Sequence, residues 1–333
     1  MPTLELTTEQ QAGQRLMVGF EGRRINDQLR FLIGDLHIGG LILFAPNIES
    51  PAQLTRLCRQ AQDYARQCGL PPLFIAVDQE GGLVARLKAP FTQFPGNPHI
   101  QNRTQAVRFG EITARELTAV GINMDCAPVL DTAFDPETSV MAQRAFSHDP
   151  QQVADLGLAV IGALQAGGVL AVAKHFPGIG RTVLDSHQER PELDITLEEL
   201  AATDILPFRQ AVGFPVSGVM LAHILYPQLD PHWPASLSPL IARDLLRDQM
   251  GFGGLLLTDD LDMGAVVKHY APATVIRQVA AAEIDLILVC HWSAKIETAH
   301  RELCQGLLRN EDLNLAGQRC LERILAAKAR YLA

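Results

Sequence analysis

Polar chemistry concentrates in the stretch Lys174-His175-Phe176-Pro177-Gly178-Ile179-Gly180-Arg181-Thr182-Val183-Leu184-Asp185-Ser186-His187. A cation and an imidazole end the apolar run Val169 to Ala173, a turn built on Pro177, Gly178 and Gly180 follows, and His187 then stands two residues after Asp185. A carboxylate beside an imidazole orients the ring and raises its pKa, which suits general acid/base work near neutral pH. The same spacing fits an Asx-turn at Asp185 with His187 exposed, and the pair alone does not choose between the two. Far along the chain, Asp259 directly follows Leu255-Leu256-Leu257-Thr258. An ionised carboxylate at such a rim can act as a nucleophile or stabilise a cationic transition state. Asp is also a good N-cap, and capping is the role expected of Asp260. Lys174 and His175 fit barrel-interior residues, a Schiff-base lysine or donors to a polar ligand. Asp78, ahead of Gly81-Gly82, could accept two hydroxyl protons of a sugar, while Arg86 and Arg144 could clamp a substrate or stand solvated.

These residues need a frame that gathers them, and the apolar runs supply one. Eight short, nearly continuous runs read as strands: Leu16 to Phe20, Gly39 to Phe44, Leu73 to Val77, Ile122 to Ala127, Val169 to Ala173, Gly218 to His223, Gly254 to Asp259 and Asp285 to Val289. Parallel strands buried on both faces have this composition. Helical segments separate most of them. Ser50-Pro51 with Gln53, Asp149-Pro150, Thr196 with Glu199 and Ser238-Pro239 are helix openings, and Thr7 with Gln10 is a weaker one. Such alternation over about 300 residues predicts an α/β fold, a single (β/α)8 barrel. A doubly wound open sheet is disfavoured because no G-x-G-x-x-G opens a helix after the first run. No linker or repeat divides the chain, so residues 1–333 are expected to form one catalytic domain with C-terminal helices. In a barrel the strand ends surround one mouth, where Asp78, Lys174, His175, His223 and Asp259 could meet.

Composition narrows the partners. With 47% hydrophobic and 20% charged residues the chain is ordinary globular material, and its net charge of -9 argues against nucleic acid or an anionic membrane as partner. The six cysteines are scattered without C-x-x-C spacing, as expected of buried free thiols in a reducing compartment. No basic-then-apolar leader opens the chain, and no apolar run reaches the roughly 18 residues that span a bilayer. A cytoplasmic monomer is expected.

Taken together, Lys174-His175-Phe176-Pro177-Gly178-x-Gly180 with Asp185-Ser186-His187 and Pro191 resembles the pattern of glycoside hydrolase family 3. More narrowly it resembles the bacterial β-N-acetylhexosaminidases of the NagZ type. The likeness extends to Leu43-Phe44 with Asn47, Asp78-Gln79-Glu80-Gly81-Gly82, Ala127-Pro128-Val129-Leu130-Asp131, Arg144-x-Phe146-Ser147, Ala222-His223-Ile224-x-Tyr226-Pro227 and Thr258-Asp259-Asp260-Leu261-x-Met263. The resemblance implies a retaining exo-β-N-acetylglucosaminidase of peptidoglycan recycling, acting on cell-wall fragments without metal or cofactor. By position, Asp259 would be the nucleophile and His187, oriented by Asp185, the acid/base. Asp78, Arg86, Arg144, Lys174 and His175 would hold the sugar. Three positions depart from the pattern: Ile179 where the family has His, Leu83 where it has Arg, and Glu283 where Gly is common, the last read as a surface change. Ile179 and Leu83 motivate the alternative of a non-catalytic or altered-specificity sugar-binding barrel, and Lys174 that of a Schiff-base lyase.

Overall fold

The computed structural model describes residues 6–184, 186 and 189–332. Its strands are β1 (Leu16–Val18), β2 (Gly40–Leu43), β3 (Phe74–Val77), β4 (Gln79–Gly81), β5 (Val84–Ala85), β6 (Met124–Asp125), β7 (Leu170–Phe176), β8 (Gly218–Leu221), β9 (Leu255–Thr258) and β10 (Ile287–Val289). Eight of them form one parallel sheet in the order β10-β1-β2-β3-β6-β7-β8-β9. Backbone bonds from Thr258 N–H to Leu286 O and from Leu286 N–H to Leu256 O, both 3.0 Å, close β9 onto β10. The predicted barrel is therefore present, with every run from the sequence supplying one strand.

Alternation along the strands decides what enters the barrel. Phe74 and Ala76, Leu170 and Val172, and Leu255 and Leu257 belong to the apolar cluster inside it. The next inward positions on the same strands are Asp78, Lys174 and Asp259, so three charged groups continue three apolar columns. The opposite faces, such as Ile75, Val77, Ala171 and Leu256, join the larger core under the helices. The sequence places Lys174 and His175 after the fifth strand, whereas β7 runs on through Phe176. Its register against β8 slips between Lys174 and Phe176, a bulge that sets two residues against one and re-aims the side chains there.

Two further differences concern local chemistry. Gln79–Gly81 and Val84–Ala85 form an antiparallel hairpin outside the eight apolar runs. Glu283 is no surface residue: it is only 8% exposed, sits at φ 54° and pairs with Arg319 through both carboxylate oxygens. A positive φ explains why glycine suits this position. The helix Glu311–Tyr331 closes the N-terminal end of the barrel, packing Ile324 and Tyr331 on the interior cluster. It also buries Lys328, 2% exposed, whose Nζ donates to Gln14 Oε1 at 2.7 Å and Gly39 O at 3.0 Å. Among the described residues no helix is long and apolar enough to cross a membrane, and all six cysteines are free thiols.

Candidate active site

At the C-terminal mouth, the inward columns meet a charged network. Lys174 Nζ donates to Asp78 Oδ1 at 2.8 Å and lies 2.7 Å from Glu80 Oε1. Arg86 Nη2 donates to Asp78 Oδ2 at 3.0 Å. Arg144 grips Glu80 with both prongs, Nε to Oε2 at 2.9 Å and Nη2 to Oε1 at 2.7 Å. Buried charges are tolerated when paired and hydrogen-bonded in this way. Asp78, Arg86, Arg144 and Lys174 are thus brought together, through a carboxylate, Glu80, that the sequence reading quoted in a motif but gave no role.

The hairpin explains how Arg86 reaches Asp78. Gln79 Oε1 accepts the N–H groups of Arg86 (2.9 Å) and Leu87 (3.1 Å), while Asp125 Oδ1 accepts the Gln79 N–H at 2.9 Å. Asp125 is fully buried, and desolvation pushes its carboxyl up to about 7. Leu83, at the turn of this hairpin, is 69% exposed, so the departure from Arg there leaves the Asp78–Arg86 pair intact.

His175 is held by Asp131, the second group to which sequence reasoning assigned no role. Its ring Nδ1 lies 2.7 Å from Asp131 Oδ2, and the other carboxylate oxygen accepts the Ile179 N–H at 2.9 Å. A carboxylate can only accept from that ring nitrogen, so Nδ1 carries the proton and Nε2 is left for a ligand. Asp131 closes the Ala127-Pro128-Val129-Leu130-Asp131 motif, four residues beyond the fourth apolar run, and its position in the chain gives no sign of the ring it holds. The turn after β7 needs its glycines: Gly178 has φ 127°, and a Cβ on Gly180 would lie 1.8 Å from Thr132 O. Ile179 between them is buried in the core, so this departure from His trades a polar group for apolar packing.

Asp259 stands at the end of β9. Its Oδ1 accepts the Asp260 N–H at 2.8 Å. His223 Nε2 donates to Asp260 O at 2.9 Å, and its Nδ1 lies 2.6 Å from Ser236 Oγ. Desolvation would raise the Asp259 carboxyl, but the charges of His175 and His223 and the Asp260 amide outweigh it and hold the pKa below the ordinary value. Asp260 goes the other way, raised by burial while its Oδ1 accepts from Asp262 and Cys290 N–H. One of two adjacent carboxylates is therefore kept ionised, and the other binds backbone at Asp262 and Cys290 rather than capping the next helix, whose N-cap is Met263.

Burial would lower the Lys174 pKa, but Asp78 and Glu80 together drive it above its ordinary value. An amine held as ammonium cannot attack a carbonyl, so this geometry speaks against a Schiff-base lyase. Asp78 is likewise ionised: desolvation is outweighed by Lys174 and Arg86. Asp185 and His187 lie outside the described residues.

A mouth of paired carboxylates and cations, with one carboxylate held ionised, can bind hydroxyl groups and meet a developing cation. The profile of the glycosyl hydrolase family 3 N-terminal domain matches residues 7–323. The chain belongs to glycosyl hydrolase family 3. That makes it a glycoside hydrolase. Within the family it is similar to the β-hexosaminidase of Pseudomonas aeruginosa, 37% identical over 288 residues, covering 85% of this chain and 84% of that one. It is also 36% identical over 320 residues to β-hexosaminidase A of Pseudoalteromonas piscicida, covering 85% of this chain and 54% of that protein. Among solved structures, the family 3 β-N-acetylglucosaminidase of Paenibacillus sp. str. FPU-7 superposes with a TM-score of 0.94 at 36% identity, covering 98% of this chain and 63% of that one. The chain thus spans about half of one family 3 relative and most of another.

Proposed function

We propose that this family 3 chain is a retaining exo-β-N-acetylglucosaminidase. Its substrate would be terminal, non-reducing β-linked N-acetylglucosamine on peptidoglycan-derived muropeptides released in cell-wall recycling. The observation that carries the reading is Asp259, a half-buried carboxylate directly after β9, kept ionised beside His175 and His223. Asp259 attacks the anomeric carbon while the leaving oxygen takes a proton from His187, oriented by Asp185, and a covalent glycosyl-enzyme forms. His187 then accepts a proton from water, the water oxygen bonds to the same carbon, and Asp259 leaves. Two inversions give net retention, and the chemistry needs neither metal nor organic cofactor. Asp78, Arg86, Arg144, Lys174 and His175 bind the sugar, the carboxylate accepting and the cations donating hydrogen bonds to its hydroxyls. The names of the relatives support the N-acetylhexosaminide as substrate. The free thiols, four of them buried, support a reducing, cytoplasmic location, where a single barrel over residues 1–333 would work as a monomer.

The test compares purified protein with Asp259→Asn on an aryl β-N-acetylglucosaminide. A loss of at least about a thousandfold in kcat/KM is expected when a covalent nucleophile is removed. Equal rates would take Asp259 out of the mechanism.

A further inference from the structure

The connection after β9 is clamped at the residue that follows Asp259. Asp260 gives its N–H to Asp259 Oδ1 at 2.8 Å, and its carbonyl oxygen accepts from His223 Nε2 at 2.9 Å. A carbonyl can only accept, so Nε2 carries a proton whether the ring is neutral or charged. The other ring nitrogen lies 2.6 Å from Ser236 Oγ, a hydroxyl able to donate to Nδ1 or to accept from it. Both side chains are fully buried, so their polar atoms must be satisfied within the protein. Ser236 is itself mounted on the backbone around the ring. Its N–H donates to Ala222 O at 3.0 Å, and the Ala235 N–H donates to Ile224 O at 2.9 Å. Asp230 fastens the preceding loop, accepting from Ser238 Oγ at 2.6 Å and from the His232 and Trp233 N–H groups. From the other flanking strand, Cys290 N–H donates to Asp260 Oδ1 and Leu261 N–H to Leu288 O, both at 3.0 Å. Among the described residues Asp259 Oδ2 has no hydrogen-bond partner, so one oxygen of the carboxylate is pinned and the other is left to react.

We infer that His223, braced by Ser236, is a positioning residue for the nucleophile. The ring follows β8 directly and acts on Asp259 only through Asp260, whose carbonyl it holds while the N–H of the same residue fixes Asp259 Oδ1. With β10 holding Asp260 from the other flank, the turn after β9 is kept from rotating and the carboxylate with it. Alignment of this kind matters because a 1 Å misplacement can cost on the order of a hundredfold in rate. The inference rests on Asp259 being the nucleophile, as proposed above.

The test measures kcat on an aryl β-N-acetylglucosaminide and the inhibition constant of N-acetylglucosamine. It compares wild type with His223→Leu, His223→Gln, Ser236→Ala, the His223→Leu/Ser236→Ala double variant and Asp259→Asn. His223→Leu removes the donor to Asp260, whereas His223→Gln keeps an N–H near the Nε2 position. His223→Leu is expected to lose about a hundredfold in kcat and Ser236→Ala about tenfold, with inhibition constants within about twofold of wild type. His223→Gln should stay within about fivefold in kcat, and the double variant should be no slower than His223→Leu, because Ser236 acts through the ring. Unchanged kcat in Ser236→Ala and His223→Leu, a loss in His223→Gln as large as in His223→Leu, or inhibition constants that rise as far as kcat falls, overturns the inference while leaving the nucleophile in place. If His223→Leu shows no cooperative thermal unfolding, Ser236→Ala decides, and wild-type kcat there overturns the inference. Wild-type turnover by Asp259→Asn removes the nucleophile, and the positioning role falls with it.

Discussion

Lys328 offers a prediction whose size follows from the structure. The only polar partners of its ammonium among the described residues are the neutral Gln14 and Gly39 oxygens, and the Phe74 ring lies 5.0 Å away. Burial alone lowers its pKa from the usual 10.5 to about 7. The unfolded chain thus binds more protons than the folded one between those values, and stability contributed by this site rises with pH across that window. At pH 6 the penalty for a buried ammonium is close to its full value, about 5 kcal/mol at 1.36 kcal/mol per unit of pKa. By pH 9 the folded amine is neutral, and what remains is about 2 kcal/mol. Lys328→Met removes this penalty but leaves two buried acceptors without a donor, a cost of about 1–3 kcal/mol each that does not depend on pH. The absolute effect of the substitution is therefore a difference of similar numbers, while its change between the two pH values is not. The variant should gain about 3 kcal/mol relative to wild type on going from pH 9 to pH 6, roughly 4 °C in relative Tm for a chain of this length. Thermal unfolding of both proteins at the two pH values measures it. A Tm difference that is the same at both, or that grows toward pH 9, would refute the account of Lys328 as a buried charge.

Substitutions at two other sites probe the network and the strained turn. Glu80→Gln leaves Lys174 and Arg144 short of a buried counter-charge, which should cost about 3–5 kcal/mol and lower Tm, with a rise in KM for the glycoside; a Tm within 1 °C of wild type would disprove the coupling. At Glu283, Gly relieves the positive φ but loses Arg319, whereas Ala loses Arg319 without relief. Glu283→Ala should therefore be less stable than Glu283→Gly by about 1 kcal/mol in denaturant titration, and equal stabilities would remove the backbone explanation.

Much of this architecture is legible in the chain because two signals agree. Buried parallel strands must be apolar on both faces, so the runs at Leu73, Val169 and Leu255 stand out, and helix openings such as Ser50-Pro51 separate them. Asp78, Lys174 and Asp259 directly follow such runs, which is why they could be nominated before any partner was known, and the period of two along the strands turns them inward. What the order of residues does not reveal is which charges satisfy each other across the barrel. Lys174 bonds Asp78 across 96 positions and Arg144 bonds Glu80 across 64, so Glu80 looked like part of a glycine-rich turn. Asp131 was equally silent, because its work is to hold a ring 44 residues away. Glu283 misled for a different reason: charge suggests exposure, and a backbone angle leaves no mark in composition.

The way the barrel closes has a consequence for its making. β1 finds its second neighbour only in β10, with Leu16 beside Ile287, and Arg15 reaches Ile284 O at 2.8 Å. Asp285 then ties β9 to the last helix by accepting from the Leu256 N–H, Arg247 and Arg323. While the chain emerges from the ribosome, β1 must wait about 270 residues for its partner, an unpaired edge open to other chains for most of synthesis. At about 5–20 residues per second that interval lasts roughly 13 to 55 seconds, long enough for chaperones to act on the nascent chain.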